Sequence, residues 1–106
     1  MAFKLEWSKE ALEDIESIAT YIEKDSPTYA KSVVSKYFEK AEILQEFSEL
    51  GRIVSELNDK SIREIFVYSY RLIYKLDEAT ILFVAVAHGK RLLENHQQSI
   101  TKHSSQ

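Results

Sequence analysis

The nine residues 80 to 88, TILFVAVAH, are apolar on both parities: Leu82, Val84 and Val86 alternate with Ile81, Phe83, Ala85 and Ala87. Successive side chains of a strand point to opposite faces of its sheet, so such a strand must be covered on both sides. A chain carrying this segment is constrained to a layered fold around a buried strand. The rest of the sequence has to supply two covers.

One cover is legible upstream. Residues 3 to 7, FKLEW, alternate apolar and polar and predict a half-buried strand. Ser8 is suited to cap a helix, and Ala11, Leu12, Ile15, Ile18, Ala19 and Ile22 recur at three and four to form its apolar stripe. Glu10, Glu13, Asp14, Glu16 and Glu23 fall on the other face, which is expected to be solvated. The tripeptide DSP at 25 to 27 restarts the chain, with Ser26 as cap and Pro27 in the first turn. Ala30, Val33, Val34, Tyr37, Phe38, Ala41, Leu44 and Phe47 mark a second helix, which Gly51 ends or closely follows. So short a connection gives an antiparallel helical hairpin.

Beyond Gly51 the period becomes that of strands. Residues 61 to 67, 70 to 76 and 80 to 88 are rich in β-branched and aromatic side chains and are separated by short gaps, which predicts an antiparallel meander. The fold class is therefore α+β: an N-terminal strand, an antiparallel helical hairpin, then a curled antiparallel β-sheet. For the second cover the sequence offers only the short first strand and the tail beyond residue 93. Residues 1 to 93 read as the domain and 94 to 106 as a polar tail. A sheet face left without an internal cover is a candidate partner surface.

At 106 residues the chain is expected to be one domain. It has no cysteine, which excludes disulfides and thiolate metal sites and suits a reducing cytosol. No stretch approaches the roughly 20 apolar residues of a membrane span, so no membrane association and a cytoplasmic location are expected. The net charge of −3 is unevenly spread. Residues 1 to 49 hold six lysines against eleven carboxylates, and residues 50 to 93 hold seven basic against five acidic groups. All four arginines, Arg52, Arg63, Arg71 and Arg91, lie in the second half. Their planar donor forks suit carboxylate or phosphate, whereas outward charges on strands also serve solubility alone.

The blocks WSKEALEDIESIATYI, LGRIVSEL, IREI, YRLIYKL and AHGKR, in this order over residues 3 to 93, resemble the RelE/ParE family of toxins from type II toxin–antitoxin systems. The resemblance implies the fold just derived and a cognate antitoxin whose flexible segment wraps the toxin. It implies one of two activities: RelE-like ribosome-dependent cleavage of messenger RNA, or ParE-like arrest of DNA gyrase by binding. A non-toxic interaction module of the same fold is a third reading.

Cleavage of an RNA backbone needs a base for the 2′-hydroxyl, a cation for the phosphate and an acid for the leaving oxygen. Glu56, Arg71 and His88 fall where some nucleases of the family place a carboxylate, an arginine and a histidine, but Gly89 stands where such nucleases often carry a further functional side chain. Plainer roles compete with these. Glu56 would pair with a neighbouring cation, and Arg71 sits on the parity opposite Tyr70, Leu72, Tyr74 and Leu76 and would face solvent. His88 would be a structural histidine at the end of a buried strand. Tyr68, Tyr70 and Tyr74 could stack bases, or simply pack the sheet. An acidic chain is also poorly suited to the phosphate-rich ribosome.

The expectation is thus a ParE-like gyrase inhibitor with no favoured catalytic residue, cofactor or metal. Arg52, Arg63, Arg71, Lys90 and Arg91 would serve antitoxin or target, and nucleic acid would be met only through the toxin–antitoxin complex.

Overall fold

The computed structural model describes residues 3–88 and residue 100. Along the chain run β1 (Lys4–Trp7), α1 (Lys9–Glu23), α2 (Pro27–Glu46), β2 (Arg52–Ile53), β3 (Ile62–Val67), β4 (Tyr70–Leu76) and β5 (Thr80–His88). The strands form one open five-stranded sheet in the order β1-β5-β4-β3-β2. β3, β4 and β5 make the expected antiparallel meander. β1 instead runs parallel to β5, with Leu5 opposite Ile81 and Trp7 opposite Phe83, so the sheet is mixed. Parallel neighbours need a long crossover, which the intervening helices and strands provide. β2 pairs with β3 over only two residues, too few to show any period in the sequence.

Side chains at the helix starts explain where the helices begin. The Ser8 amide donates to the Phe83 carbonyl at 2.9 Å, and the Ser8 hydroxyl accepts from the Ala11 amide at 3.0 Å. One residue thereby ties the end of β1 to β5 and caps α1. Ser26 accepts from the Tyr29 amide at 3.1 Å, and Pro27 occupies the first turn of α2. α2 stops at Glu46, ahead of Gly51, whose φ is not positive. Gly51 is needed for close approach instead. Its amide donates to the Tyr74 hydroxyl at 3.1 Å, and a Cβ there would lie 2.5 Å from both that oxygen and the Glu64 carbonyl.

Two apolar clusters cover the sheet. Between hairpin and sheet lie Ala11, Ile15, Val33, Tyr37 and Leu44 against Leu72, Tyr74, Phe83 and Val86. Trp7 stacks on Phe83 there with ring centroids 4.2 Å apart. On the far face Val54, Ile62, Ile73, Val84, Ala85 and Ala87 enclose Ile100, which is 1% exposed. The second cover therefore includes a residue from beyond position 93.

A bulge in β5 sorts these faces. The partners of Ile73 and Tyr74 are Ala85 and Phe83, so Val84 is left between them. One extra residue inverts the alternation, and Ile81 and Phe83 face the helices before the bulge while Val86 does so after it. Two expectations for α1 need correction. Leu12 is 46% exposed, beside Trp7 and Phe38 in an open groove on the hairpin. Asp14, placed on the solvated face, accepts from the Val86 amide at 2.9 Å and so ties α1 to β5.

Candidate functional site

The chemistry-bearing residues of β3 and β4 meet on the face away from the helices. The hairpin register sets Phe66 opposite Arg71 and Glu64 opposite Ile73, which puts Glu64 diagonal to Arg71. Arg71 is 4% exposed and Glu64 2%. The Arg71 Nε donates to Glu64 Oε1 at 2.5 Å, and its Nη2 pairs with the same carboxylate. Nη1 and Nη2 donate to the two oxygens of Glu56, each at 3.0 Å, in a bidentate fork. On the other side of Glu64, Arg52 Nε donates to Oε2 at 2.8 Å, and its guanidinium lies 5.4 Å above the Phe66 ring.

Two cations and two anions thus form one chain. A buried charge is tolerated only when paired and hydrogen-bonded, which is why Arg71 is buried although its parity pointed to solvent. Glu56 does pair with a cation, and that cation is Arg71. Hydrogen bonds from Arg71 hold the Glu56 carboxyl below the usual carboxylate range. Burial opposes the charge on Arg71, but the hydrogen bonds to Glu56 and Glu64 outweigh it and raise the guanidinium above its ordinary value. Glu56 is consequently a weakened base. The donors of Arg71 are turned toward carboxylates rather than toward an incoming phosphate.

His88 is placed elsewhere. It pairs across the sheet with Tyr70, and the two rings meet edge to face with centroids 5.6 Å apart. Tyr70 packs on the helix-side core, whereas Arg71 and its cross-strand partner Ala87 point to the other face. The sheet therefore separates His88 from Glu56 and Arg71. His88 is exposed rather than buried at its strand end.

The remaining arginines divide. Arg63 turns to the helix side, where Nη1 donates to the carbonyls of Gly51 at 2.7 Å and Glu49 at 3.5 Å, fastening the loop after α2. Its Nε is buried with no hydrogen-bond partner among the described residues. Arg52 stands on the edge strand β2, with its side chain 70% exposed. Lys90 and Arg91 lie outside the described residues. Among the described residues no three His, Asp or Glu side chains converge as metal ligands, and no helix is long and apolar enough to cross a membrane. Glu64, at the centre of the network, is the residue sequence reasoning missed. Its signal was a carboxylate sharing the parity of Ile62 within a strand, a position that calls for a buried partner.

Comparison with known proteins bears on this arrangement. The family model described as "ParE toxin of type II toxin-antitoxin system, parDE" matches residues 5–93. No curated protein matches at a significant level. Among solved structures, the chromosomal ParDE toxin–antitoxin system of P. aeruginosa superposes with a TM-score of 0.68 at 19% identity, covering 82% of this chain and 96% of that one. The toxin–antitoxin complex RelBE2 of Mycobacterium tuberculosis gives 0.57 at 19% identity over 83% and 99% of the two chains. A mutant of the E. coli toxin RelE in the free state gives 0.63 at 16% identity over 97% and 99%. These likenesses carry the fold, and the family match over most of the length carries the assignment: the chain belongs to the ParE toxins, within the RelE/ParE family of type II toxin–antitoxin systems.

Proposed function

We propose that this protein is a cytoplasmic toxin that arrests DNA gyrase by binding to it and is neutralised by a cognate antitoxin. The observation that carries the reading is the division of the nuclease-like residues. Glu56 and Arg71 satisfy each other on one face of the sheet while His88 lies with Tyr70 on the other. A general base, a phosphate-holding cation and a general acid have to converge within hydrogen-bond reach of one bond. An inhibitor that works by occupying its target needs surfaces only.

An antitoxin partner is supported by the solved relatives, since the P. aeruginosa structure is a ParDE system and the M. tuberculosis structure is a toxin–antitoxin complex. Among the described residues Arg52 is the arginine best exposed to meet acidic groups of such a partner.

Two assays test the reading. Supercoiling by purified gyrase is expected to slow when the toxin is added and to recover with the antitoxin, while messenger RNA on translating ribosomes stays intact. Ribosome-dependent cuts that vanish in Arg71→Ala and His88→Ala would overturn it in favour of RNA cleavage. If neither assay responds although the antitoxin still binds, the protein is an interaction module.

A further inference from the structure

One groove takes no part in the arginine–carboxylate network. A stripe of α2, formed by Thr28, Lys31, Ser32, Ser35, Lys36 and Glu39, faces Tyr68 in the β3–β4 turn across a cleft of about 580 Å³. Lys36 pairs with Glu39 at 3.1 Å, while Lys31 has no ion-pair partner among the described residues. The Ser32 hydroxyl donates to the Thr28 carbonyl at 3.3 Å.

The residue that singles this groove out is Tyr68. It has φ 57°, the one positive φ among the described residues. A two-residue hairpin turn favours such a conformation, but glycine, asparagine or aspartate adopt it at far lower cost than an aromatic residue. The backbone thus argues against tyrosine here. What tyrosine adds is its ring, 50% exposed and tilted against Tyr29 with centroids 6.0 Å apart; Tyr29 is itself 47% exposed. Tyr68 from the turn and Tyr29 from the first turn of α2 thus form an aromatic pair beside a groove that bears ammonium and hydroxyl donors and the Glu39 carboxylate.

We propose that this groove binds a short single-stranded nucleic-acid segment, with bases stacked on Tyr68 and Tyr29 and a phosphate held by Lys31, Lys36 being already paired with Glu39. Every base offers a π-face to an aromatic ring, and a positively charged groove tracks the backbone. A duplex keeps its bases stacked inside and gains nothing from the rings. An acidic peptide would use the lysines without the rings, and so leaves the strained tyrosine unexplained. The acidic balance of the whole chain keeps the contact local and salt-sensitive. Direct contact of this kind departs from the expectation that nucleic acid is met only through the antitoxin.

The test is fluorescence anisotropy of a labelled oligothymidylate, beside a duplex of matching length, with the full-length toxin at low salt. The single strand is expected to bind in preference to the duplex. Its affinity should fall with a log–log salt slope of about −0.7 for the one phosphate that Lys31 neutralises. Tyr68→Gly relieves the positive φ, so its melting temperature should be equal or higher while affinity drops about tenfold, the loss expected for one stacked base. Lys31→Glu should weaken binding and flatten the salt slope. The proposal is overturned by absence of binding, by equal affinity for the duplex, by unchanged binding in Tyr68→Gly, or by polyglutamate displacing the label as well as unlabelled oligonucleotide does. No gyrase is present, so these outcomes are separate from those that decide the cellular target.

Discussion

At the scale of single residues, Arg71 shows how a polar network decides burial. Its guanidinium is enclosed because Glu64 and Glu56 accept from it, and removal of one buried partner leaves a charge uncompensated. Glu64→Gln is therefore expected to cost about 3 to 5 kcal/mol in urea unfolding. Glu56 is 39% exposed and solvent screens its share, so Glu56→Gln should cost less than about 1 kcal/mol. The pH dependence follows from the lowered Glu56 pKa. A carboxyl lowered in the folded state contributes stability above its unfolded pKa and loses it as the pH falls through the folded one. Glu56→Gln should thus lose its small increment at neutral pH, converge with the parent at low pH, and so flatten the acid limb of the stability profile. An acid limb as steep as the parent's would contradict the pairing.

At the scale of elements, α1 is held by more than its apolar stripe. Ile15 is 6% exposed against the sheet, and Ile15→Ala is expected to cost about 2 to 5 kcal/mol, the usual price of a core truncation. Asp14 sits one position away yet accepts the amide of Val86 beside the bulge of β5. Its loss leaves that part-buried donor unmet, so Asp14→Ala should cost about 1 to 3 kcal/mol. Glu16 and Glu13 are exposed, and their alanine variants should stay within about 0.5 kcal/mol of the parent. Thermal melting of the four variants checks the ordering. Equal losses for Asp14→Ala and Glu16→Ala would place Asp14 in solvent.

At the scale of the whole molecule, the sheet is a wall with a different cover on each side. The hairpin covers one face, and the other closes over Val84, Ala85 and Ala87 with Ile100 buried among them. Introducing a charge there should open an apolar surface. Ile100→Asp is expected to raise binding of a hydrophobic dye and lower the melting temperature, since an unpaired charge cannot be buried cheaply. Unchanged dye binding would show that Ile100 contributes nothing to the cover.

Much of this architecture was legible in the sequence, because local periods carry it. Helical spacing with the serine caps Ser8 and Ser26 marked α1 and α2, and β-branched and aromatic runs marked β3, β4 and β5 nearly to the residue. The demand that residues 80 to 88 be covered twice was also present, as was the pairing of Glu56 with a cation. The candidate site was legible only as a set of residues. Strict alternation groups His88 with Leu82, Val84 and Val86, yet which of these share a face depends on one unpaired residue, Val84, whose bulge inverts the strand beyond it. Sequence spacing does not show a bulge, since it arises from how β5 meets β4. The same holds for Arg71: its parity gave the direction of the side chain, but only the diagonal approach of Glu64 from β3 makes that direction an interior. Local periodicity is a property of the chain, whereas the meeting of charges and the side of the wall on which His88 stands are properties of strand pairing, and these the tertiary structure alone decided.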